Sequence, residues 1–92
     1  MLEPESRLRH RDRVLTQRAA GTLVLLDLDG GQYYALDEVS SRVWDLCDGE
    51  LGVEAIISTI GEEFEAPLET IRGDVEEFLQ EMLDENLLVE ES

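Results

Sequence analysis

The most informative segment of the chain spans residues 25–46 and reads LLDLDGGQYYALDEVSSRVWDL. Its apolar first part ends at Asp29-Gly30-Gly31, which is typical of a hairpin turn because glycine adopts positive φ without steric cost. Gln32–Leu36 then predicts a returning strand. Asp37 is a good helix N-cap, and apolar residues follow it at helical spacing. The segment therefore predicts strand, turn, strand and helix, with the helix face formed by Val39, Val43, Leu46 and Cys47.

Upstream of this segment, the pattern is that of β structure. Val14–Gln17 predicts a short strand, Ala19-Ala20-Gly21 a turn, and Thr22–Leu28 a longer strand rich in β-branched residues and leucine. Together with Gln32–Leu36 they predict a three-stranded antiparallel meander. Residues 1–11 are polar and lack periodicity, so we expect a flexible N-terminal arm there and one domain over residues 12–92.

Downstream, the spacing of apolar residues predicts two more helices. The first helix ends near Gly49, the second runs from about Val53 to Phe64, and Pro67 separates it from the third. The third helix runs from about Leu68 to Asn86, and Leu87-Leu88-Val89 is expected to pack back on the core. The predicted fold class is α+β, with a three-stranded antiparallel meander followed by three helices.

The third predicted helix carries a wider apolar stripe than a small core needs. One stripe consists of Ile71, Val75, Phe78 and Met82, and it is widened by Leu79 and Leu83. Two interpretations stay open at this point. The stripe is either a broad core contact, or part of it lines a groove for an apolar ligand or peptide.

Charge is distributed unevenly along the 92 residues. The formal net charge is −16, made up of +2 over residues 1–20 and −18 over residues 21–92. Such a body repels phosphate, which argues against binding to nucleic acid or to an anionic membrane surface. The chain has no apolar run long enough to span a membrane and no apolar segment typical of a secretory signal. The single cysteine, Cys47, excludes an internal disulfide and favours a cytoplasmic location.

Combinations of residues that carry catalysis or bind metal are missing from the sequence. His10 is the only histidine and Cys47 is expected to be buried, so neither a His–Cys nucleophile nor a zinc site is indicated. The acidic residues around Pro67 lack the spacing of a calcium loop. An acyl carrier protein is a weaker alternative, because Ser40 and Ser41 lie near a helix start but without an Asp-Ser-Leu motif. We expect no enzyme activity, no metal and no cofactor.

The order of these motifs resembles the PqqD-like family, the peptide-recognition element of pathways that make natural products from ribosomal peptides. The resemblance lies in Asp29-Gly30-Gly31, in YYALDE over residues 33–38, in Val43-Trp44, and in Asp48-Gly49 after the helix. Asn86-Leu87-Leu88 resembles the end of the family's domain. The match extends over residues 13–90.

The resemblance implies a winged helix-turn-helix-like domain without catalytic machinery. It also implies that the leader segment of a precursor peptide adds as a fourth strand beside the third strand, in a cleft against the third helix. An exposed strand edge and a broad apolar helix face suit such strand addition independently. The implied peptide-binding residues are Gln32, Tyr33, Tyr34, Ala35, Leu36, Arg72, Asp74, Val75, Phe78, Leu79 and Met82.

Within the family, the YYALDE form and the short chain look most like the branch that makes lasso peptides. That branch implies two partners besides the leader peptide, namely a leader-cleaving cysteine protease and an ATP-dependent cyclase. The alternative is presentation of the pyrroloquinoline quinone precursor peptide to a radical enzyme. A helix-turn-helix DNA-binding protein would share the architecture, but the −18 charge of residues 21–92 argues against it.

Overall fold

The computed structural model describes residues 2–91, which form two three-stranded antiparallel sheets and three helices. One sheet has the strand order β2-β3-β4 and the other has the order β5-β1-β6. The α+β class is therefore confirmed, but the strand arrangement differs from the single meander expected. The elements are β1 (Arg7–His10), β2 (Val14–Ala19), β3 (Thr22–Asp27), β4 (Tyr33–Leu36), α1 (Glu38–Leu46), β5 (Asp48–Gly52), α2 (Val53–Phe64), α3 (Leu68–Asp84) and β6 (Leu88–Glu91).

The sheet β2-β3-β4 is the predicted meander. Ala20 and Gly21 between β2 and β3 both have positive φ, 53° and 84°, as a tight turn that matches strand twist requires. The pairing places Leu25 opposite Tyr34 and Leu23 opposite Leu36. Leu23, Leu25 and Leu36 are buried, so this face of the sheet packs on the core.

The second sheet contradicts the expectation of a flexible arm over residues 1–11, of which Met1 lies outside the described residues. Arg7–His10 is the central strand of this sheet, and it pairs with β6 along its length and with β5 through a bulge. Leu8 on this strand is completely buried. Only one apolar residue of RLRH faces the core, and the strands that pair with β1 lie 39 to 45 and 78 to 84 positions away in the sequence, so no local pattern indicated a strand.

The residues before β1 also hold the start of α2. Helix α2 has no side-chain cap at Gly52. The backbone N–H of Val53 donates instead to the carbonyl of Ser6 at 2.9 Å, and that of Glu54 donates to the carbonyl of Pro4 at 2.9 Å. The N-terminal segment thus satisfies two of the N–H groups that a helix start leaves without partners.

The three predicted helices are confirmed with small shifts of their ends. Asp37 caps α1 by accepting a hydrogen bond from the N–H of Ser40, and Asn86 has a φ of 61° just after α3. The core includes Cys47, and Leu87 and Leu88 pack back on it as expected. Among residues 2–91, no helix combines the length and apolar character needed to cross a bilayer.

Candidate peptide-binding groove

A groove of about 440 Å³ lies between the end of β4, the first half of α1 and the exposed flank of α3. Strand β4 follows directly on β3 and ends at the N-cap of α1, so the strand and the helix meet at one corner of the groove. Helix α3 closes the opposite side. The groove is lined by Ala35, Leu36, Asp37, Val39, Ser40, Val43, Asp74, Val75, Glu77, Phe78 and Glu81.

One edge of β4 is unpaired within residues 2–91, because β4 is the last strand of its sheet. The N–H of Asp27 donates to the carbonyl of Gln32 at 2.9 Å, which marks a hydrogen-bonded position between β3 and β4. Since such positions alternate along an antiparallel pair, Tyr34 directs its backbone groups at β3. The N–H and C=O groups of Tyr33 and Ala35 therefore point to the open edge, where an added strand would find them.

Ser41 of α1 fixes the end of this strand. Its hydroxyl accepts a hydrogen bond from the N–H of Leu23 at 3.0 Å and donates one to the carbonyl of Leu36 at 3.3 Å. The hydroxyl thus takes the position at which the N–H of Leu23 would otherwise donate directly to the carbonyl of Leu36. Ser41 is 2% exposed, so this bridge is shielded from water.

The groove has an apolar floor and an acidic rim. The floor combines the buried side chains of Leu36, Val43 and Val75 with the half-buried Val39 and Phe78. The rim carries four exposed carboxylates and, among the lining residues, no cation. These carboxylates, called here the acidic rim, belong to Asp37, Asp74, Glu77 and Glu81.

The two tyrosines of β4 lie on opposite faces of the sheet, as a strand requires. The Tyr34 hydroxyl lies 2.8 Å from Gln32 Oε1 and 2.9 Å from Glu85 Oε2, and it donates to one of them at a time. Burial and the Glu85 carboxylate raise the pKa of the Tyr34 phenol, which keeps the donor proton in place. Tyr33 is 73% exposed on the other face.

The face that carries Tyr33, called here the outer face, has no charged side chain at its strand positions. The pairing aligns Leu15, Leu26 and Tyr33 across the three strands, and Gln17, Val24 and Ala35 beside them. Leu15 is 54% exposed and Leu26 38%. An uncharged, partly apolar face is unusual in a chain of net charge −16 and is typical of a protein–protein contact.

The structure brings together part of the predicted peptide-binding set. Ala35, Leu36, Asp74, Val75 and Phe78 line the groove. Gln32, Tyr33 and Tyr34 lie beside it, with Gly31 and Glu85, around a shallow hollow at the start of β4.

Three predicted residues lie elsewhere. Leu79 and Met82 are 0% and 1% exposed in the core, so the core interpretation of the helix stripe holds for them. Arg72 donates to both carboxylate oxygens of Glu54 on α2 through its two terminal guanidinium nitrogens, at 2.8 and 2.5 Å, and ties α3 to α2 instead of lining the groove.

Sequence reasoning missed the part of the groove that α1 and the acidic side of α3 supply. Glu77 and Glu81 are one helical turn apart and flank Phe78, which is the signal that could have assigned them to the same face. The α1 residues follow β4 directly and therefore lie beside its end. The missed lining residues are Asp37, Val39, Ser40, Val43, Glu77 and Glu81.

Cys47 and His10 hold structural positions. Burial raises the pKa of the Cys47 thiol to about 12, so a thiolate nucleophile is disfavoured at neutral pH. The His10 ring stacks on Trp44 with a centroid distance of 4.0 Å, and its Nε2 lies 2.7 Å from the Trp44 carbonyl, which can only accept a hydrogen bond. Among residues 2–91, no group of three or more His, Cys, Asp or Glu side chains is arranged to hold a metal ion.

The model of the family described as coenzyme PQQ synthesis protein D (PqqD) matches residues 22–88, which is most of the chain. The chain belongs to the PqqD family. The resemblance recognised in residues 25–46 is thereby confirmed, and the matched range contains the whole groove. No curated protein sequence matches the chain significantly.

Solved structures similar to this chain include complexes with leader peptides. TbiB1 in complex with the TbiA(beta) leader peptide is 31% identical, with a TM-score of 0.79 over 87% of this chain and 93% of that one. Lasso peptide synthetase B1, complexed with its leader peptide, shares the fold with a TM-score of 0.80 at 14% identity, covering 90% of this chain and 98% of that one.

A third structure shows the same fold inside a much larger protein. The heterocyclase TruD matches with a TM-score of 0.64 at 17% identity, over 94% of this chain but only 12% of TruD. The fold therefore occurs both as a short chain and as a small part of a long one.

Proposed function

We propose that this PqqD-family chain binds the leader segment of a ribosomally made precursor peptide, by β-strand addition to β4, and carries out no chemistry on it. The observation that carries the proposal is that the unpaired edge of β4 borders a groove with an apolar floor. Backbone groups on such an edge supply affinity, and alternate side chains of the added strand enter the groove and supply specificity.

Two further observations support this function. TbiB1, at 31% identity, is bound to a leader peptide. The Ser41 bridge and the Asp37 cap hold the end of β4 in place before any peptide arrives, which lowers the ordering cost of binding. The winged helix-turn-helix-like description implied by the resemblance stays a prediction.

The proposed role extends to delivery. In the cytoplasm, the chain would present the bound precursor to a leader-cleaving cysteine protease and to an ATP-dependent cyclase of lasso peptide biosynthesis. The uncharged outer face supports it, because a partner there would lie beside the peptide without covering the groove. Presentation of the pyrroloquinoline quinone precursor to a radical enzyme is the alternative. The lasso pathway is favoured by the fold shared with lasso peptide synthetase B1, which is complexed with a leader peptide.

Titration with the TbiA(beta) leader peptide, followed by backbone amide NMR, tests the binding site. We expect the largest shift changes in residues 33–36 and on the groove side of α3, with slow amide exchange appearing at Tyr33 and Ala35 because their N–H groups become bonded. Changes confined to α2 and the sheet β5-β1-β6 would contradict the placement.

Two substitutions one position apart separate binding from folding. Phe78 is half-buried in the groove, so Phe78→Ala should weaken leader binding at least tenfold and lower the unfolding free energy only modestly. Leu79 is fully buried, so Leu79→Ala should cost about 2–5 kcal/mol of stability and bind normally when folded. Calorimetry and urea unfolding on both variants measure the two quantities, and the reverse pattern would refute the groove assignment.

Delivery is tested separately on the outer face. Leu15→Glu and Leu26→Glu place charge among exposed apolar side chains away from the groove, so they should leave leader affinity unchanged. We expect both variants to lose stimulation of leader cleavage by the lasso-pathway protease. Unchanged stimulation would exclude this face as the contact.

A further inference from the structure

We infer that the groove selects leader segments with Lys or Arg on the side chains that face α3, at positions two residues apart. The inference rests on the proposed function and deepens it by naming the chemistry of the peptide. Its basis is the acidic rim, which stands beside the apolar floor and the unpaired edge of β4.

The first step is charge complementarity along the groove. The lining residues include four carboxylates and no basic side chain. The basic residues nearest in sequence to the rim are engaged elsewhere: Arg72 binds Glu54, and Arg42 binds Glu63 at 2.8 and 2.9 Å. A peptide in the groove therefore meets an uncompensated negative rim, which favours cations and disfavours carboxylates on that side.

The second step is spacing. Glu77 and Glu81 are four residues apart on α3, which is about 6 Å along the helix axis at 1.5 Å per residue. In an extended strand, side chains on the same side repeat about every 6.6 Å. Two cations at positions i and i+2 of an added strand therefore match Glu77 and Glu81, whereas Asp74 and Glu81, about 10 Å apart, do not match this repeat.

The third step distinguishes a local contact with the acidic rim from the general attraction by the net charge of the chain. The whole chain carries a net charge of −16 and attracts any cationic peptide over long distances. A local contact depends on position in the peptide and on particular carboxylates, whereas the general field depends on neither. Control substitutions must therefore change the net charge equally but away from the groove.

Helix α3 offers such a control. Glu69 and Glu76 are exposed on the same helix and do not line the groove. The double variant Glu69→Gln/Glu76→Gln alters net charge as much as Glu77→Gln/Glu81→Gln does. The probe is the TbiA(beta) leader peptide in two series of variants. In the first series each position in turn is replaced by Lys, and in the second by Glu. Fluorescence anisotropy measures the affinity of each peptide at low and at high salt.

We expect Lys at two positions, two residues apart, to tighten binding to the unchanged protein, and Glu at the same positions to weaken it, by about two- to five-fold each at low salt. The Glu77→Gln/Glu81→Gln variant should remove this difference, and Glu69→Gln/Glu76→Gln should retain it. High salt should reduce it, because the rim is exposed.

Every other outcome would contradict either the selection of cations by the rim or the proposed function itself. Equal effects of the two double variants, or a Lys effect independent of position, would overturn the selection of cations by the rim while leaving strand addition intact. Absence of binding by every probe, with the protein folded, would overturn the proposed function and this inference with it.

Discussion

At the scale of single residues, Ser41 couples the groove to the core. Its hydroxyl joins Leu23 of β3 to Leu36 of β4, and its own backbone N–H donates to the Asp37 carbonyl at 2.8 Å in the first turn of α1. One buried side chain thus sets the distance between two strands and the position of a helix. The edge that we propose to accept the leader depends on this contact.

Replacing Ser41 by Ala should therefore lower the stability of the fold. The variant leaves the N–H of Leu23 buried without its partner, which costs about 1–3 kcal/mol of unfolding free energy. Ser40→Ala, at a half-buried neighbouring position, is the control and should stay within about 0.5 kcal/mol. Urea unfolding midpoints measure the stability of both variants. An unchanged midpoint for Ser41→Ala would show that β3 and β4 move together and that Leu23 and Leu36 form a direct hydrogen bond.

At the scale of elements, β1 is the part of the fold that local sequence patterns did not predict. The strand fills the middle of the sheet β5-β1-β6, and the residues before it supply carbonyls to the start of α2. Gly52 lies against this segment so closely that an added Cβ would stand 3.2 Å from the Pro4 carbonyl. The segment from Pro4 to His10 is thus part of the packed structure.

Deleting residues 1–11 is therefore expected to abolish cooperative folding. Leu8→Ala in the full chain is the milder form and should cost about 2–5 kcal/mol, because a fully buried leucine leaves a cavity. Arg7→Ala, on the exposed side of the same strand, should change stability by less than about 0.5 kcal/mol. Circular dichroism and urea unfolding measure all three; a folded deletion variant would show that the second sheet is dispensable.

At the scale of the whole molecule, the basic N-terminal part of the sequence and the acidic remainder contact each other through ion pairs. Arginines of the N-terminal part bind carboxylates of the acidic remainder: Arg11 binds Asp27 at 2.7 Å and Asp29 at 2.9 Å, and Arg13 binds Asp29 at 2.7 Å. Arg18 binds Asp45 at 3.0 Å. What remains unpaired is mostly acidic and includes the rim of the groove.

The dependence of stability on pH should report these pairs. Hydrogen bonds from Arg72 lower the pKa of Glu54 below its ordinary 4.5, and those from Arg42 lower the pKa of Glu63 in the same way. A carboxylate with a lowered folded-state pKa stabilises the protein above its unfolded pKa, and that contribution is lost as pH falls from 4.5 through the folded value. Urea midpoints between pH 7 and pH 3 should fall more steeply in the natural chain than in Arg72→Gln or Arg42→Gln. Parallel curves would show that these pairs contribute nothing.

Local patterns in the chain were sufficient for the α+β class, the meander, the three helices and the family. Turns such as Asp29-Gly30-Gly31, caps such as Asp37 and the helical spacing of apolar residues act over a few neighbours, so they are readable without the fold. The prediction of strand addition beside Gln32–Leu36, which stays a proposal, came from the same patterns together with the resemblance.

Only the tertiary structure decided the second sheet and the lining of the groove. Strand β1 pairs with residues far along the chain, and pairing over such distances leaves no local periodicity. Phe78 and Leu79 are adjacent, apolar and equally compatible with a helical stripe; packing turned Leu79 into the core and left Phe78 on the flank facing β4. The acidic rim has the same origin, because the carboxylate at the N-cap of α1 and those on α3 become neighbours only when both helices pack beside β4.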